Sequence, residues 1–224
     1  MTVLSPDLTL DELRLAMAGE VAAAAVFDGW SAAAVASAAD VLGVNTDIAA
    51  VAFKGEGEGE AMAMISAWIA SVDAAMADRF ADGSLAGLPV RERIRSLVQF
   101  RLDAIEGKEE ALSRALAIMA LPRNAARSLK MGWASADAMW RLAGDVSTDY
   151  NHYTKRTILA SIYAATLAVF ATDRSEGKAD TRAFLDRRLA GVMRFEKAKA
   201  RLLGADREHF SLMRLLGRLR YPAT

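Results

Sequence analysis

Apolar residues recur every three or four positions along almost the whole chain. The clearest run passes from Met62 through Ile65, Ile69 and Val72 to Met76, and it predicts a helix over residues 58–81. Similar spacing elsewhere predicts ten helices and no convincing strand. The sequence therefore predicts an all-α fold.

The first three predicted helices form a recognisable arrangement. Thr9 and Glu12 have the spacing of a capping box and begin the first helix. Ser31 is the expected cap of the second helix, and a turn around Gly43 separates it from a short third helix at 46–53. Two short helices joined by a glycine turn after a longer one are typical of a helix-turn-helix unit.

The later helices are separated by glycine, proline and polar caps. Gly107 and Pro122 each end a predicted helix, as does Gly144 after the helix that carries Trp133 and Trp140. The predicted spans are 90–106, 108–121, a seventh helix ending at Gly144, an eighth capped by Ser147 or Thr148, a ninth capped by Ser175, and a tenth at 207–220.

Three parts are expected along the chain, without a long linker or an internal repeat. We predict a degenerate helix-turn-helix-like part at 1–56, a helical ligand-binding and dimerisation domain at 57–204, and a C-terminal amphipathic helix at 205–224. The low-complexity run KGEGEGE at 54–60 is interpreted as a solvated helix start.

The net charge of zero hides a strong asymmetry. Residues 1–90 carry 3 basic and 13 acidic side chains, whereas residues 91–224 carry 25 basic and 15 acidic ones. Duplex binding needs several Lys and Arg side chains on the phosphates, but the segment 45–53 has no basic residue and one acid. We therefore expect no nucleic acid partner, and we interpret the first three helices as a structural cap.

No constellation of catalytic or metal-binding residues is present in the sequence. There is no cysteine, and the two histidines, His152 and His209, have no ligand partner at suitable spacing beyond the single pair of Asp149 and His152. No G-x-S-x-G motif occurs, and the GEGEG run does not match a phosphate loop. We expect no catalytic residue, no metal and no cofactor, so the protein is predicted not to be an enzyme.

The eighth predicted helix is apolar on nearly every side. Its longest nearly apolar run, 158–171, is 14 residues, which is too short to cross a bilayer. Such a helix has to be covered by the rest of the protein, by a second subunit or by a ligand. Its small residues also suit close helix packing, and the sequence cannot distinguish a filled core from a hollow one.

Two surfaces carry candidate interaction residues. On the eighth helix, Asp149, His152, Tyr153 and Arg156 share one face, although Asp149 also suits a helix cap. On the tenth helix, one face is apolar and the other is basic, which suits either a membrane or packing on the protein itself. The apolar face holds Leu212, Leu215, Leu216 and Leu219, and the basic face holds Arg207, Arg214 and Arg218.

One long stretch points to a known family. Residues 133–199 begin with WASADAMWRLAGDVSTDYNHYTKR and end with SEGKADTRAFLDRRLAGVMRFEKAK. This stretch resembles the lipid-binding accessory protein family of ubiquinone (coenzyme Q) biosynthesis, which has a TetR-repressor-like fold. The resemblance is specific from about Arg91 onward. In the first 90 residues it rests on FDGW at 27–30 and on the helix order.

The resemblance implies a ten-helix TetR-like homodimer with an apolar cavity for a polyprenyl quinone or other isoprenoid lipid. Large apolar residues around the eighth helix are the expected lining. The candidates are Ile65, Trp68, Ile69, Leu112, Leu116, Met119, Leu129, Trp133, Met139, Trp140 and Ile162.

It also implies two partners. A di-iron quinone hydroxylase is expected at Asp149, His152, Tyr153 and Arg156, where the family pattern is STDxNWYT and His152 replaces the usual tryptophan. An anionic membrane surface is expected at the tenth helix, through Leu212, Leu215, Leu216, Leu219, Arg214 and Arg218. The predicted location is cytoplasmic and peripheral, at the inner face of the membrane.

The preferred hypothesis is a non-catalytic protein that takes a polyprenyl quinone intermediate from the membrane and presents it to a ring hydroxylase. The first alternative is a TetR-like transcriptional regulator with a hydrophobic effector, which the acidic first part disfavours. The second is an enzyme that acts on its bound lipid.

Overall fold

The computed structural model describes residues 7–55, 59–146 and 150–205, and over these ranges it confirms the predicted all-α class. This part of the chain contains nine α-helices and two short 3-10 helices, Pro122–Asn124 and Glu176–Lys178. The α-helices are α1 (Leu10–Asp28), α2 (Ala32–Leu42), α3 (Thr46–Phe53), α4 (Glu60–Arg79), α5 (Val90–Asp103), α6 (Glu109–Met119), α7 (Ala125–Leu142), α8 (Tyr150–Thr172) and α9 (Ala179–Ala205).

The predicted helix starts in the first part of the chain are mostly confirmed. The capping box at Thr9 is formed, since Thr9 Oγ1 accepts from the backbone N–H of Glu12 at 3.3 Å and the Glu12 carboxylate accepts from the Thr9 N–H at 2.9 Å. Helix α3 has the predicted bounds. Ser31 stands at the N-terminus of α2, but its hydroxyl donates to the carbonyl oxygen of Asp28 and caps no helix N–H.

The later boundaries differ by a few residues from the prediction. Pro122 begins a 3-10 turn that separates α6 from α7, and α6 already ends at Met119. Ser175 precedes a second 3-10 turn, and its Oγ accepts from the N–H of Asp180 at 3.0 Å, in the first turn of α9. The predicted caps Ser147 and Thr148 and the predicted tenth helix at 207–220 lie outside the described residues.

Helices α1, α2 and α3 pack against one another in the predicted helix-turn-helix-like arrangement. The turn between α2 and α3 requires Gly43, whose φ of 68° and ψ of 29° lie in the left-handed region. Alanines on the inner faces, including Ala22 and Ala25, are fully buried and let the helices approach closely. Helix α1 then packs on α4 and α6, which joins these helices to the larger part of the protein.

Helix α4 lies at the centre of the fold. It packs against α1, α5, α6 and α7, and its buried residues include Met64, Ile65 and Met76. By length and composition it is the one helix in the described ranges that meets the criteria for a membrane span. Long apolar helices in a protein core meet the same criteria as membrane-spanning helices. Because α4 packs against several other helices, we interpret it as a core helix.

The described chain divides into two compact units within α9. The first contains α1 to α8 and the start of α9, up to Leu185, and the second continues α9 from Asp186. The parts predicted at 1–56, 57–204 and 205–224 follow a different division and stay a prediction. The site described below lies wholly within the first unit.

Candidate functional site

A cavity of about 250 Å³ lies among helices α4, α5, α6, α7 and α8. Its wall is almost entirely apolar. Each helix contributes at least one side chain, with Ile105 added just after the end of α5. The lining residues are Ile65, Trp68, Ile69, Val72, Arg101, Ile105, Leu112, Ala115, Leu116, Met119, Ser128, Leu129, Met131, Gly132, Ser135, Ala160, Tyr163, Ala164 and Leu167.

Seven of the eleven residues proposed to bind lipid line this cavity. They come from α4, α6 and α7, and they are Ile65, Trp68, Ile69, Leu112, Leu116, Met119 and Leu129. Leu129 is 75% exposed although it is a leucine on the cavity wall, so it marks the side where the cavity meets the surface. The structure thus brings these side chains around one space, while their contact with a lipid stays a prediction.

The other four candidates lie away from the cavity wall. Met139 and Ile162 are buried in the core. The ring of Trp133 lies against Tyr153 with ring centroids 5.9 Å apart, and Trp140 donates from Nε1 to the carbonyl oxygen of Lys155 at 3.1 Å. Both tryptophans therefore join α7 to α8 instead of lining the space. The side of α7 that faces the cavity carries the small residues Ser128, Gly132 and Ser135 beside Leu129 and Met131.

Ser128, Gly132 and Ser135 are spaced at i, i+4 and i+7, and this spacing is the sequence signal that indicates a shared helix face. It marks one face of a helix as clearly as a row of large apolar residues does. The candidates named from the sequence are all large side chains, whereas three of the five lining residues of α7 are small. Gly132 is the clearest example, since a Cβ placed there would meet no atom within 4 Å.

A buried polar cluster that the sequence did not predict forms part of the cavity wall. Arg101 of α5 forms an ion pair with Asp73 of α4, and its Nη2 donates to Ser135 Oγ of α7 at 3.2 Å. Ser135 in turn donates to the second Asp73 oxygen at 2.9 Å. The guanidinium carbon of Arg101 lies 4.9 Å from the ring centroid of Tyr163 on α8. The cluster therefore links four helices around one charged pair.

The charge on Arg101 is retained despite its burial. Burial lowers the pKa of the guanidinium, but contact with Tyr163 and with the Asp73 carboxylate raises it by more, so the pKa lies above its ordinary value. Arg101 is 2% exposed, and a buried charge of this kind is tolerated only when it is paired. Asp73 supplies that pairing.

The predicted partner face on α8 is divided between surface and interior. Tyr153 is 61% exposed and its ring lies 5.2 Å from that of His152, centroid to centroid. Arg156 differs from the expectation for a contact residue, because it is 2% exposed. Its Nε donates to Asp137 at 2.5 Å and its Nη1 donates to Asp145 at 3.1 Å, so it holds α8 against α7.

The Arg156 side chain points inward because it pairs with Asp137 on α7 and with Asp145 just after α7. Helical spacing alone placed it beside His152 and Tyr153, yet Asp137 and Asp145 take it into the interior. The role that the structure supports for Arg156 is to position the face that Tyr153 presents. Asp149 and the proposed membrane residues Leu212, Leu215, Leu216, Leu219, Arg214 and Arg218 lie outside the described residues.

No group of three or more His, Asp or Glu side chains in the described ranges is arranged to hold a metal ion. The absence of a metal or catalytic site in the whole protein stays a prediction.

Comparison with known proteins supports the resemblance found in the sequence. The COQ9 family model matches residues 125–196, which cover α7, α8 and the beginning of α9. The ubiquinone biosynthesis protein COQ9 of Rattus norvegicus, described as mitochondrial, is 35% identical over 172 residues, or 74% of this chain and 54% of the rat protein. The predicted family resemblance is confirmed.

The human protein of the same name gives a similar match, 34% identical over 172 residues, which cover 74% of this chain and 52% of the human protein. The chain thus spans about half the length of these curated relatives. A crystal structure of a TetR transcriptional regulator from Nitrosomonas europaea superposes with a TM-score of 0.62 at 21% identity, covering 80% of this chain and 96% of that one. This likeness confirms the predicted TetR-like fold.

Proposed function

We propose that the protein is a non-catalytic accessory protein of ubiquinone biosynthesis, which binds a polyprenyl quinone intermediate and presents it to a ring hydroxylase. The observation that carries the proposal is the apolar cavity among α4 to α8, two of whose helices lie in the segment that matches the COQ9 family. A space with an apolar wall suits a ligand that water solvates poorly.

The energetics explain why such a lipid needs a carrier. Each isoprene unit moved from a bilayer into water costs about 3–4 kcal/mol, at about 0.8 kcal/mol per buried CH₂. The cavity of about 250 Å³ exceeds the roughly 150 Å³ that suffices for benzene, but it lies below the roughly 300–1,000 Å³ of typical drug-sized sites. It therefore holds one substituted ring or a short piece of tail, and the rest of a long tail requires shelter elsewhere.

The transcriptional alternative is disfavoured by the surface of α3. In a helix-turn-helix protein this is the position of the helix that reads the DNA. Here its exposed residues include Ile48 and Val51, and its first turn carries Asp47. Apolar and acidic side chains at that position would repel phosphates or fail to bind them. Specific retention of duplex DNA at moderate salt would favour the regulator instead.

The remaining parts of the proposal concern partners. We propose that Tyr153 and His152, together with Asp149, form the contact for a di-iron quinone hydroxylase. The buried Arg156 would hold this face of α8 in position through its ion pairs. The residues from Leu212 to Leu219 are proposed to contact an anionic membrane, and the protein is proposed to be a homodimer. The relatives are named as mitochondrial proteins. For this protein we propose a peripheral location at a membrane surface.

The first experiment identifies the ligand directly. The protein is purified, extracted with organic solvent, and any co-purified lipid is identified by mass spectrometry. In parallel, uptake of quinone from loaded vesicles is compared for the wild type, Gly132→Leu and Gly19→Leu. Gly132 lines the cavity, Gly19 is exposed on α1, and a Cβ at either position meets nothing within 4 Å.

The two glycine variants are expected to differ in quinone uptake. Gly132→Leu fills the cavity and should abolish quinone uptake, whereas Gly19→Leu should leave uptake unchanged. A preparation without lipid and without uptake from vesicles would contradict the proposal. Conversion of the bound quinone by the protein alone, without the hydroxylase, would favour the enzymatic alternative.

A further inference from the structure

The cavity has a polar side and an apolar opening. Arg101, Ser135 and Tyr163 are all buried, with exposures of 2%, 1% and 7%. Leu129 and Ala164 are exposed and line the same cavity. A guest that enters past these two residues therefore meets apolar wall first and the polar cluster at the buried side.

The hydrogen bonds of the wall leave two donors available, one on Tyr163 and one on Arg101. Ser128 is satisfied, because its hydroxyl bonds to the carbonyl oxygens of Met119 and Asn124, both at 2.9 Å. Ser135 gives its proton to Asp73. The Tyr163 hydroxyl lines the cavity and can only accept from the Arg101 guanidinium, so its own proton is left to donate, and the Nε–H of Arg101 is buried without an acceptor among the described residues. A buried donor without an acceptor is unfavourable, so the site favours a guest that supplies one.

The charge of the cluster specifies which kind of acceptor fits. Arg101 is neutralised by Asp73, and Ser135 bridges the two. An anionic guest would approach the Asp73 carboxylate without a free positive charge to offset the repulsion. A neutral oxygen such as a ring carbonyl accepts a hydrogen bond without that cost.

We propose that the lipid binds with its ring inward, so that a neutral carbonyl oxygen of the ring accepts the hydrogen bond of the Tyr163 hydroxyl. The tail then leaves past Leu129 and Ala164. This inference rests on the proposed function and adds the orientation and the polar contact to it. The volume of about 250 Å³ agrees with a single substituted ring. In this orientation the ring is shielded from water until the lipid is passed on.

The test compares two probes that differ only in their oxygens. One is a benzoquinone carrying one isoprene unit, and the other is a benzene ring carrying the same unit. Their affinities are measured by calorimetry for the wild type, Tyr163→Phe and Ser161→Ala. Ser161 is exposed on the same helix, its hydroxyl donates to the carbonyl oxygen of Ile158, and it does not line the cavity, so its variant controls for the loss of a hydroxyl on α8.

Tyr163→Phe should weaken quinone binding about five-fold, the effect of one hydrogen bond, and leave hydrocarbon binding within two-fold. Ser161→Ala should change neither. In the infrared spectrum, one carbonyl band of the bound quinone should shift to lower frequency in the wild type and lose that shift in Tyr163→Phe. The spectrum reports the contact itself, independent of any change in packing.

The outcomes separate the orientation from the function. Quinone affinity and carbonyl bands that are unchanged by Tyr163→Phe would overturn the ring-inward orientation and leave lipid binding intact. Equal weakening of both probes would overturn it as well, because it would show a packing effect only. If neither probe binds the wild type, the proposed function fails and the orientation fails with it.

Discussion

The indole ring of Trp30 lies against that of Trp68, with ring centroids 5.4 Å apart and planes tilted by 40°. Trp68 lines the cavity, whereas Trp30 lies between α1 and α2. Trp30 also donates from Nε1 to the carbonyl oxygen of Ala111 on α6 at 2.9 Å. The helix-turn-helix-like part therefore supports one wall of the cavity from behind, which gives it a structural role.

Replacing Trp30 tests this support. Trp30→Phe keeps an aromatic ring but removes the N–H that donates to the Ala111 carbonyl oxygen, and the loss of this buried hydrogen bond costs about 1 kcal/mol. We expect a lower free energy of unfolding in urea. The control is Phe27→Ala in the same FDGW motif, where the side chain is 84% exposed, and it should stay within about 0.5 kcal/mol of the wild type. Equal effects of the two variants would contradict the role of Trp30.

A second prediction concerns the buried arginine between α7 and α8. Arg156→Met leaves the carboxylates of Asp137 and Asp145 without their buried partner, and we expect a loss of about 3–5 kcal/mol in the free energy of unfolding. Arg141→Met is the matched control, because Arg141 pairs with the same Asp137 at 2.7 Å but its side chain is 73% exposed. Its expected cost is at most about 1 kcal/mol. Similar losses for both arginines would refute a special role of Arg156.

The turn before α9 should make stability depend on pH. Burial raises the pKa of Asp173, but the hydroxyl and backbone N–H groups of Ser175 and Thr181 donate to its carboxylate, and the net pKa is far below the ordinary value. Because the folded pKa is depressed, this stabilisation is full above the unfolded pKa of about 3.9 and is lost as the pH falls towards the folded value.

We therefore expect Asp173→Asn to lower the urea midpoint most at neutral pH, and the gap to the wild type to narrow below about pH 4. Unfolding curves at several pH values measure this gap. Asp180→Asn, an exposed residue in the first turn of α9, should have a small effect at neutral pH. A gap for Asp173 that is equally wide at acid pH would show that the carboxylate charge is not responsible.

Local signals explain why much of the fold could be predicted. The capping box at Thr9, the turn at Gly43 and the bounds of α3 each depend on a few neighbouring residues, and all three agree with the structure. Helix α4 (Glu60–Arg79) is shorter than the predicted span of 58–81, because the apolar spacing from Met62 to Met76 identifies a helix but does not specify its ends.

The polar side of the cavity could not be predicted in this way. Asp73, Arg101, Ser135 and Tyr163 come from four helices and are separated by up to 90 positions, so no periodic pattern connects them. Each looks ordinary on its own helix. Arg156 shows the same limitation, since its position on the helix was correctly placed beside Tyr153 but its direction is set by carboxylates on α7 and in the turn after it.

The last prediction uses the position at which this chain departs from the family pattern. His152 lies beside the exposed Tyr153, where the pattern has tryptophan. Because tryptophan is among the strongest contributors to protein interfaces, His152→Trp should bind a purified di-iron quinone hydroxylase more tightly, by up to about 2 kcal/mol or roughly thirty-fold. Ala33→Trp, an exposed site on α2, should leave the affinity unchanged. Biolayer interferometry measures both dissociation constants. If His152→Trp binds no more tightly than the wild type, or if Ala33→Trp gains as much, the hydroxylase does not contact this face through residue 152.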